Sequence, residues 1–193
     1  MIGALFIIMG TNGSAGIKKK FIGSNALRVI RETSCPVITI KGKSHRKGCK
    51  HILLPLDLSN ETREKVDKAI EIAKLGNGAA IHVVSVLFTK DEFIVNKLKR
   101  QMDQVEEYIK KAGVECTAEL IKGIKFEESF ADNVVEYGKK KGADLIMIMT
   151  RREDNAIDRF IGSSAQEIIN KSDIPVLSIV PVHKKDSLIN TPY

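Results

Sequence analysis

Phe21-Ile-Gly-Ser-Asn-Ala-Leu-Arg-Val-Ile30 returns later in the chain as Phe160-Ile-Gly-Ser-Ser-Ala-Gln-Glu-Ile-Ile169, an offset of 139 residues. The same offset carries Cys35-Pro-Val-Ile-Thr-Ile40 onto Ile174-Pro-Val-Leu-Ser-Ile179 without a gap. Backwards, it sets Gly3-Ala4 on Gly142-Ala143 and the apolar run Leu5–Met9 on Asp144–Ile148. Within the front segment, residues 1–42, residues 3–42 thus repeat residues 142–181. A repeat this long constrains the fold before any single motif does, because each copy must be one supersecondary unit. Both copies read as an apolar strand, a loop, a helix opened by Gly-Ser, and a second strand.

The chain between the copies alternates in the same manner. His51-Ile-Leu-Leu-Pro-Leu-Asp57 is a strand, with Ser59 placed to cap the helix whose apolar face is Val66, Ala69, Ile70 and Ala73. Gly76-Asn-Gly78 stops that helix, and Ala79 to Val86 is a second strand. Ile94, Leu98, Met102, Val105, Ile109 and Ala112 form a long helical stripe, followed by a strand from Val114 to Ile121. Phe130, Val134 and Tyr137 mark a third helix. Asp144 to Met149, Gly162 to Lys171 and Val176 to Val180 complete the series as strand, helix and strand. This β-α-β-α-β-α-β-α-β order predicts an α/β fold with an open, doubly wound, parallel five-stranded sheet. Ligands of such sheets sit beyond the carboxyl ends of the strands, where strand order reverses. The expected organisation is a β-α-β fragment of a first copy over 1–42, a basic, glycine-bearing linker over 43–48, a complete domain over 49–183 and a tail over 184–193.

Composition agrees with a globular chain: 193 residues, 43% hydrophobic and 28% charged. No apolar run reaches the roughly 18–20 residues that cross a membrane. Met1 to Met9 is apolar but has no basic start and no small-residue cleavage site, so it reads as a buried strand and not as a signal peptide. Cys35, Cys49 and Cys116 show neither metal nor disulfide spacing, which fits a reducing cytoplasm. The net charge of +7 lies largely in Lys18–Lys20, Lys41–Lys50 and Lys139–Lys141. These clusters lack interleaved aromatics and read as solvated surface, not as a nucleic-acid interface.

Gly10, Gly13, Gly23 and Ser24 spell Gly-x2-Gly-x9-Gly-Ser between a strand and a helix. Glycines at Gly10 and Gly13 let backbone N–H groups approach phosphate oxygens, and Gly23-Ser24 opens a helix whose free N–H groups favour an anion. Ser24 either caps the helix or bonds a phosphate, and Lys18–Lys20 either attract phosphate or are solvated. This motif, in this element order, resembles the universal stress protein family, over nearly the whole chain as one intact domain plus a C-terminal fragment of another. The resemblance implies an adenine-nucleotide-hydrolase-like fold and a binding or signalling role. It also implies a contact from Asp57, the acid ending the first strand, to adenine or ribose; the same residue could instead cap the next helix.

The intact domain departs from that pattern. Gly162 and Ser163 survive, but Met149 replaces Gly10 and Arg152 replaces Gly13. The loop Thr150–Arg159 carries Glu153, Asp154 and Asp158 against Arg151, Arg152 and Arg159. A self-paired surface loop is the preferred reading, with a phosphate clamp by Arg151 and Arg152 the alternative. The glycines Gly10 and Gly13 and the acid Asp57 therefore belong to different copies. ATP binding is expected to be weak or lost in this chain, with ATP and magnesium ligands of a longer protein that carries the whole first copy. An ATP-binding or ATP-hydrolysing protein of the same fold is the alternative. The four histidines, His45, His51, His82 and His183, are scattered and no catalytic array stands out, so an enzyme is not expected. The final strands, Val37–Ile40 and Val176–Ile179, are expected to pair antiparallel, as a homodimer or as a pseudo-dimer within one chain. The apolar faces of Leu5–Met9 and of the helix bearing Val29 and Ile30 would then remain uncovered.

Overall fold

The computed structural model describes residues 4–11, 22–41, 48–56, 62–75, 78–123, 129–152 and 159–179. Strand β1 (Ile7–Gly10), helix α1 (Ser24–Glu32) and strand β2 (Val37–Ile40) form the front unit. The remainder is β3 (His51–Pro55), α2 (Thr62–Leu75), β4 (Ala80–Leu87), α3 (Glu92–Lys111), β5 (Cys116–Lys122), α4 (Phe130–Lys140), β6 (Leu145–Met149), β7 (Arg151–Arg152), β8 (Arg159–Phe160), α5 (Ser163–Lys171) and β9 (Val176–Ile179). The periodic segments are all found, with boundaries shifted by a residue or two. The β7–β8 ribbon was not expected; it pairs Arg151 with Phe160 and Arg152 with Arg159 inside the segment read as a loop.

The sheet order is β1-β2-β9-β6-β3-β4-β5. From β9 to β5 every pairing is parallel, which gives a five-stranded, doubly wound parallel sheet. The front unit adds two strands to it. β1 and β2 are parallel to each other, and β2 runs antiparallel to β9 with Val37 opposite Ser178, Ile38 opposite Leu177 and Thr39 opposite Val176. Ile38 and Leu177 are themselves separated by 139 residues. The ladder is therefore centred on a residue and its own repeat counterpart, and a local two-fold passes between them. Neither β2 nor β9 keeps a free edge, so the pseudo-dimer is realised within the chain.

The repeat persists down to single bonds. Ile7 N–H donates to Pro36 O at 2.9 Å, and Ile146 N–H to Pro175 O at 2.9 Å. Thr11 N–H donates to Ile40 O at 3.0 Å, and Thr150 N–H to Ile179 O at 2.8 Å. The hydroxyls of Thr33 and Ser172 each accept from the backbone two residues on, at 2.9 and 3.0 Å. These short side-chain turns follow the helix ends and set up the X-Pro step into the next strand. The front unit is also tied to α5 directly. Asn170 Oδ1 accepts from Ile22 N–H at 2.6 Å, and its carbonyl accepts from Lys41 Nζ at 2.8 Å.

Helices α1, α4 and α5 cover one face of the sheet, with Ile30, Val134, Ile168 and Ile169 in a shared core. Helices α2 and α3 cover the other face, with Val66, Ala69, Met102 and Ile109 packed on Ile52, Leu54 and Met147. The expected exposure of α1 is corrected here: Ile30 is buried, because the local two-fold brings α1 onto the same core as α5. Leu5 and Ile8 do remain bare, at 72% and 65% exposed. Ser129 and Asp132 close a reciprocal cap at the start of α4, and Gly142, with φ of +64°, turns the chain out of that helix in a conformation that L side chains resist.

The histidines are less scattered than the sequence suggests. At the amino end of the sheet His51 Nδ1 lies 3.1 Å from His82 Nε2, and His82 Nδ1 lies 2.9 Å from Thr117 Oγ1. The two rings stack with centroids 5.3 Å apart. Burial lowers the His82 pKa, and the neighbouring His51 and Lys141 lower it further. Lys141 bonds Glu119 at 2.5 Å and holds its carboxyl below the usual range. Tyr137, buried beside Glu119, is pushed up.

Two stability tests follow from this geometry. Across the β2–β9 ladder, Thr39 Oγ1 donates to Val176 O at 3.2 Å, while the buried Ser178 hydroxyl, at the counterpart position, has no hydrogen-bond partner. Ser178→Ala should stabilise the protein by about 1 kcal/mol and Thr39→Val should destabilise it by about 1 kcal/mol, read from urea midpoints. Equal effects at both positions would show that the hydroxyls are equivalent. The lowered His82 pKa means that the unfolded chain takes up the proton first as pH falls. Stability should decline as pH drops through and below about 6.5, the ordinary histidine value, and His82→Gln should flatten that decline. Parallel urea midpoints from pH 7.5 to pH 5 for both proteins would refute the assignment.

Candidate functional site

In the complete domain the strand order reverses between β3 and β6, the two strands on which the crevice of a doubly wound sheet opens. At their carboxyl ends Pro55, Ile148 and Met149 face the first turn of α5, represented by Ser164, Ala165 and Ile168, with Phe130 of α4 and Lys65 of α2 closing the sides. Among the described residues, the hollow that these side chains line is about 50 Å³. Pockets that hold drug-sized ligands run to roughly 300–1,000 Å³. Met149 is 7% exposed and packs into the α2–α3 core, so the side chain that replaces Gly10 of the first copy is fixed in place and occupies room beside the crevice.

Gly162 holds the cap position of α5, and Ser163 is the first helical residue. No acidic residue lies in the first turn, which leaves the positive end of the helix dipole uncompensated by local carboxylates. On the β6 side Met149 and Arg152 stand where the offset sets Gly10 and Gly13. Arg151 and Arg152, proposed as phosphate contacts, lie on β7, and their backbone is paired with β8. Asp57 lies outside the described residues, directly after the buried Leu56 at the end of β3.

The front unit carries the other half of the motif. Gly10 ends β1, Gly23 holds the cap position of α1, and Ser24 is the first residue of the helix. Gly23 N–H donates to Thr11 O at 2.7 Å, and a Cβ at Gly23 would stand 3.2 Å from that oxygen, so glycine permits the loop to close on the helix start. Gly13 lies outside the described residues. Because β2 runs antiparallel to β9, the carboxyl ends of β1 and β2 point to the opposite rim of the sheet from those of β3 and β6. Gly10, Gly23 and Ser24 are therefore not brought together with Gly162, Ser163 or Leu56.

Lys65 was missed from sequence. It is 7% exposed, although lysine is seldom buried. The signal was its place four residues before Ala69, within the apolar stripe of α2. Two other reactive groups are quiet. Burial, together with Asp144, raises the Cys49 thiol to about 11, and burial raises Cys116 to about 12, so neither is a thiolate at neutral pH. Among the described residues there is no group of three or more His, Cys, Asp or Glu that could hold a metal ion, and no helix long and apolar enough to cross a membrane. A larger hollow of about 510 Å³ lies along α3 between Asp103 and Lys111, but it is an open surface lined by side chains that pair with one another, such as Lys110 with Glu106.

Comparison with known proteins agrees with this architecture. The chain matches the universal stress protein family over residues 2–41 and 48–179. A universal stress protein of Methanocaldococcus jannaschii is 31% identical over 150 residues, covering 71% of this chain and 85% of the relative. Universal stress protein A homolog 1 of Coxiella burnetii is 26% identical over 139 residues, 67% of this chain and 95% of the relative. The crystal structure of a universal stress protein from Archaeoglobus fulgidus superposes with a TM-score of 0.67 at 20% identity, over 91% of this chain. This chain spans about 60% of the length of that structure. A universal stress protein from Archaeoglobus fulgidus solved in complex with dAMP has a TM-score of 0.54 at 26% identity, over 66% of this chain and 95% of its own. With its two matching segments joined in one doubly wound sheet, the chain belongs to the universal stress protein family.

Proposed function

We propose that this chain is a non-catalytic binding and signalling module of the universal stress protein type, acting in the cytoplasm, in which adenine-nucleotide binding by the complete domain is weak or lost. The observation that carries the reading is the crevice at the β3–β6 switch point. Among the described residues the hollow there is about 50 Å³, and it is bounded by Met149, which the 139-residue offset sets on Gly10. A nucleoside phosphate needs several times that space and a backbone it can approach. The β7–β8 pairing of Arg151 and Arg152 supports the same reading, since a paired backbone has fewer free donors to offer a phosphate.

In this reading residues 1–42 are the C-terminal β-α-β fragment of a first stress-protein-type copy, 43–48 a linker, 49–183 the complete domain and 184–193 a tail. ATP and magnesium then belong to a longer protein in which Gly10, Gly13, Gly23 and Ser24 are completed by their own copy's first strands. The β2–β9 ladder serves as the internal form of association, so a homodimer through the same strands would have to open it.

The alternative is an ATP-binding or ATP-hydrolysing protein of the same fold. Retention of Gly162 and Ser163 at the start of α5 favours it, as does the relative solved with dAMP. Equilibrium titration separates the two. The proposed function requires a dissociation constant for ATP weaker than about 100 μM, a binding free energy smaller than about 5.5 kcal/mol. Low-micromolar binding, or turnover of ATP to ADP or AMP, would establish the alternative.

A further inference from the structure

We propose that His51, His82 and Thr117 form an acid-sensitive latch across the amino ends of β3, β4 and β5, in which the two imidazoles share one proton, keep their bond when a first further proton arrives, and part when a second does. The latch lies at the rim opposite the β3–β6 crevice and does not depend on what that crevice binds. The sheet register assembles it. His82 stands opposite Leu53 on β3 and opposite Thr117 on β5, so His51, two residues before Leu53, shares a face with both. Leu53 belongs to the core that contains Val134 and Val135 of α4, so the three polar side chains form a row on the face that α4 covers.

Hydrogen bonds run the length of the row, from His51 Nδ1 to His82 Nε2 at 3.1 Å and from His82 Nδ1 to Thr117 Oγ1 at 2.9 Å. With ring centroids 5.3 Å apart and ring planes at 26°, the facing nitrogens stand close to the line between the rings, the geometry of an N–H···N bond. Such a bond holds one proton on one of the two facing nitrogens. The Thr117 hydroxyl both donates and accepts, so it serves either tautomer of His82. A neutral pair satisfies the row. So does a pair with one added proton, which goes to an outer nitrogen and leaves the shared bond charge-assisted. A second added proton has only the facing nitrogens left to occupy. Two N–H groups then oppose each other, and two imidazolium charges repel.

The surroundings set the threshold. The end of α4 borders the row: a Cβ at Gly138 would stand 3.0 Å from Leu53, and Lys141 pairs with Glu119, two residues beyond Thr117, with Tyr137 beside them. Lys141 adds a third cation near His82, while Glu115 and Glu119 of the β5 side oppose it. On the β3 side the Asp144 carboxylate accepts from the backbone N–H groups of Lys50 and His51 at 2.9 and 3.1 Å, with Cys49 nearby. Burial disfavours charge on His82, and His51 and Lys141 add to that effect. The pair therefore titrates in two steps, the second below the ordinary histidine value of about 6.5. An opened chain takes up both protons at that ordinary value, so acid pulls the latch apart.

The test uses the 193-residue chain with nitrogen-15 labelling. Ring-nitrogen NMR from pH 8 to pH 5 should show one facing nitrogen protonated and the other bare at pH 8, and two titration steps for the pair separated by more than about one pH unit. Amide exchange, corrected for its intrinsic pH dependence, should quicken about tenfold over residues 80–83 and 116–118 between pH 7 and pH 5.5. His51→Gln and His82→Gln should remove that acceleration, because a glutamine takes up no proton. Should either variant fail to fold, two substitutions outside the rings carry the test. Lys141→Met, which removes a neighbouring cation, should move the acceleration to lower pH, and Glu119→Gln, which removes an anion, should move it to higher pH. Histidines that titrate in one step near the ordinary value overturn the latch, as does an acceleration that is the same in every variant. Shifts of the same sign for Lys141→Met and Glu119→Gln also overturn it, since loss of a merely structural ion pair would produce them.

Discussion

Three antiparallel rungs between β2 and β9 set the geometry of the rest of the molecule. The rungs are centred on Ile38 and Leu177, which the internal repeat makes equivalent, so the pairing is self-complementary in the manner of a two-fold interface between identical subunits. A slip of one residue would turn Val37 and Val176, both buried, to the other face of the sheet and bring Thr39 or Ser178 out of register. The same two-fold lays α1 beside α5 in opposite directions. A free carbonyl at the end of α5, that of Asn170, is then met by Lys41 of the front unit. Burying Ile22, Ala26 and Ile30 in this way stabilises a front unit whose two strands and one helix would be marginal in isolation.

The same ladder divides the chemistry. An antiparallel junction in an otherwise parallel sheet sends the two sets of strand ends to opposite rims. One rim receives the carboxyl end of β1, with Gly10, and the start of α1; the other receives the crevice between β3 and β6. Helix N-termini without acidic first turns stand on both rims, so electrostatics alone would favour an anion at either. On the β6 rim, among the described residues, Arg151 and Arg152 are paired with β8, and Met149 and Phe130 line a hollow of about 50 Å³.

The fold was largely legible from sequence because its signals are periodic and local. The offset of 139 held from the Gly-Ser helix starts to the Cys35-Pro and Ile174-Pro steps, and the strand and helix stripes placed each element within a residue or two. What remained hidden depends on contacts between distant residues. His51 and His82 meet because β3 and β4 are neighbours in parallel register, which their separation of 31 residues does not reveal. Ile30 is buried by a helix that sequence separation places far away. The β7–β8 ribbon lies in a stretch rich in charge, where neither a period of two nor a hairpin dipeptide announces a strand. Lys65 is buried although its type is almost always exposed, and only its place in an apolar stripe marks it.

The repeat also serves as an internal control on exposure. Residues that share a sequence pattern and differ in burial report a difference in surroundings and not in chemistry. Ile8 and Met147 form such a pair, and leaving an isoleucine in water forgoes about 1.5–3 kcal/mol of burial. The sheet limits that loss. Phe6 and Ile38 reach past the junction and pack against the α2–α3 core of the complete domain, so that the bare face shrinks to Leu5 and Ile8. β1 is also only four residues long, and short edge strands are poor templates for unregulated pairing.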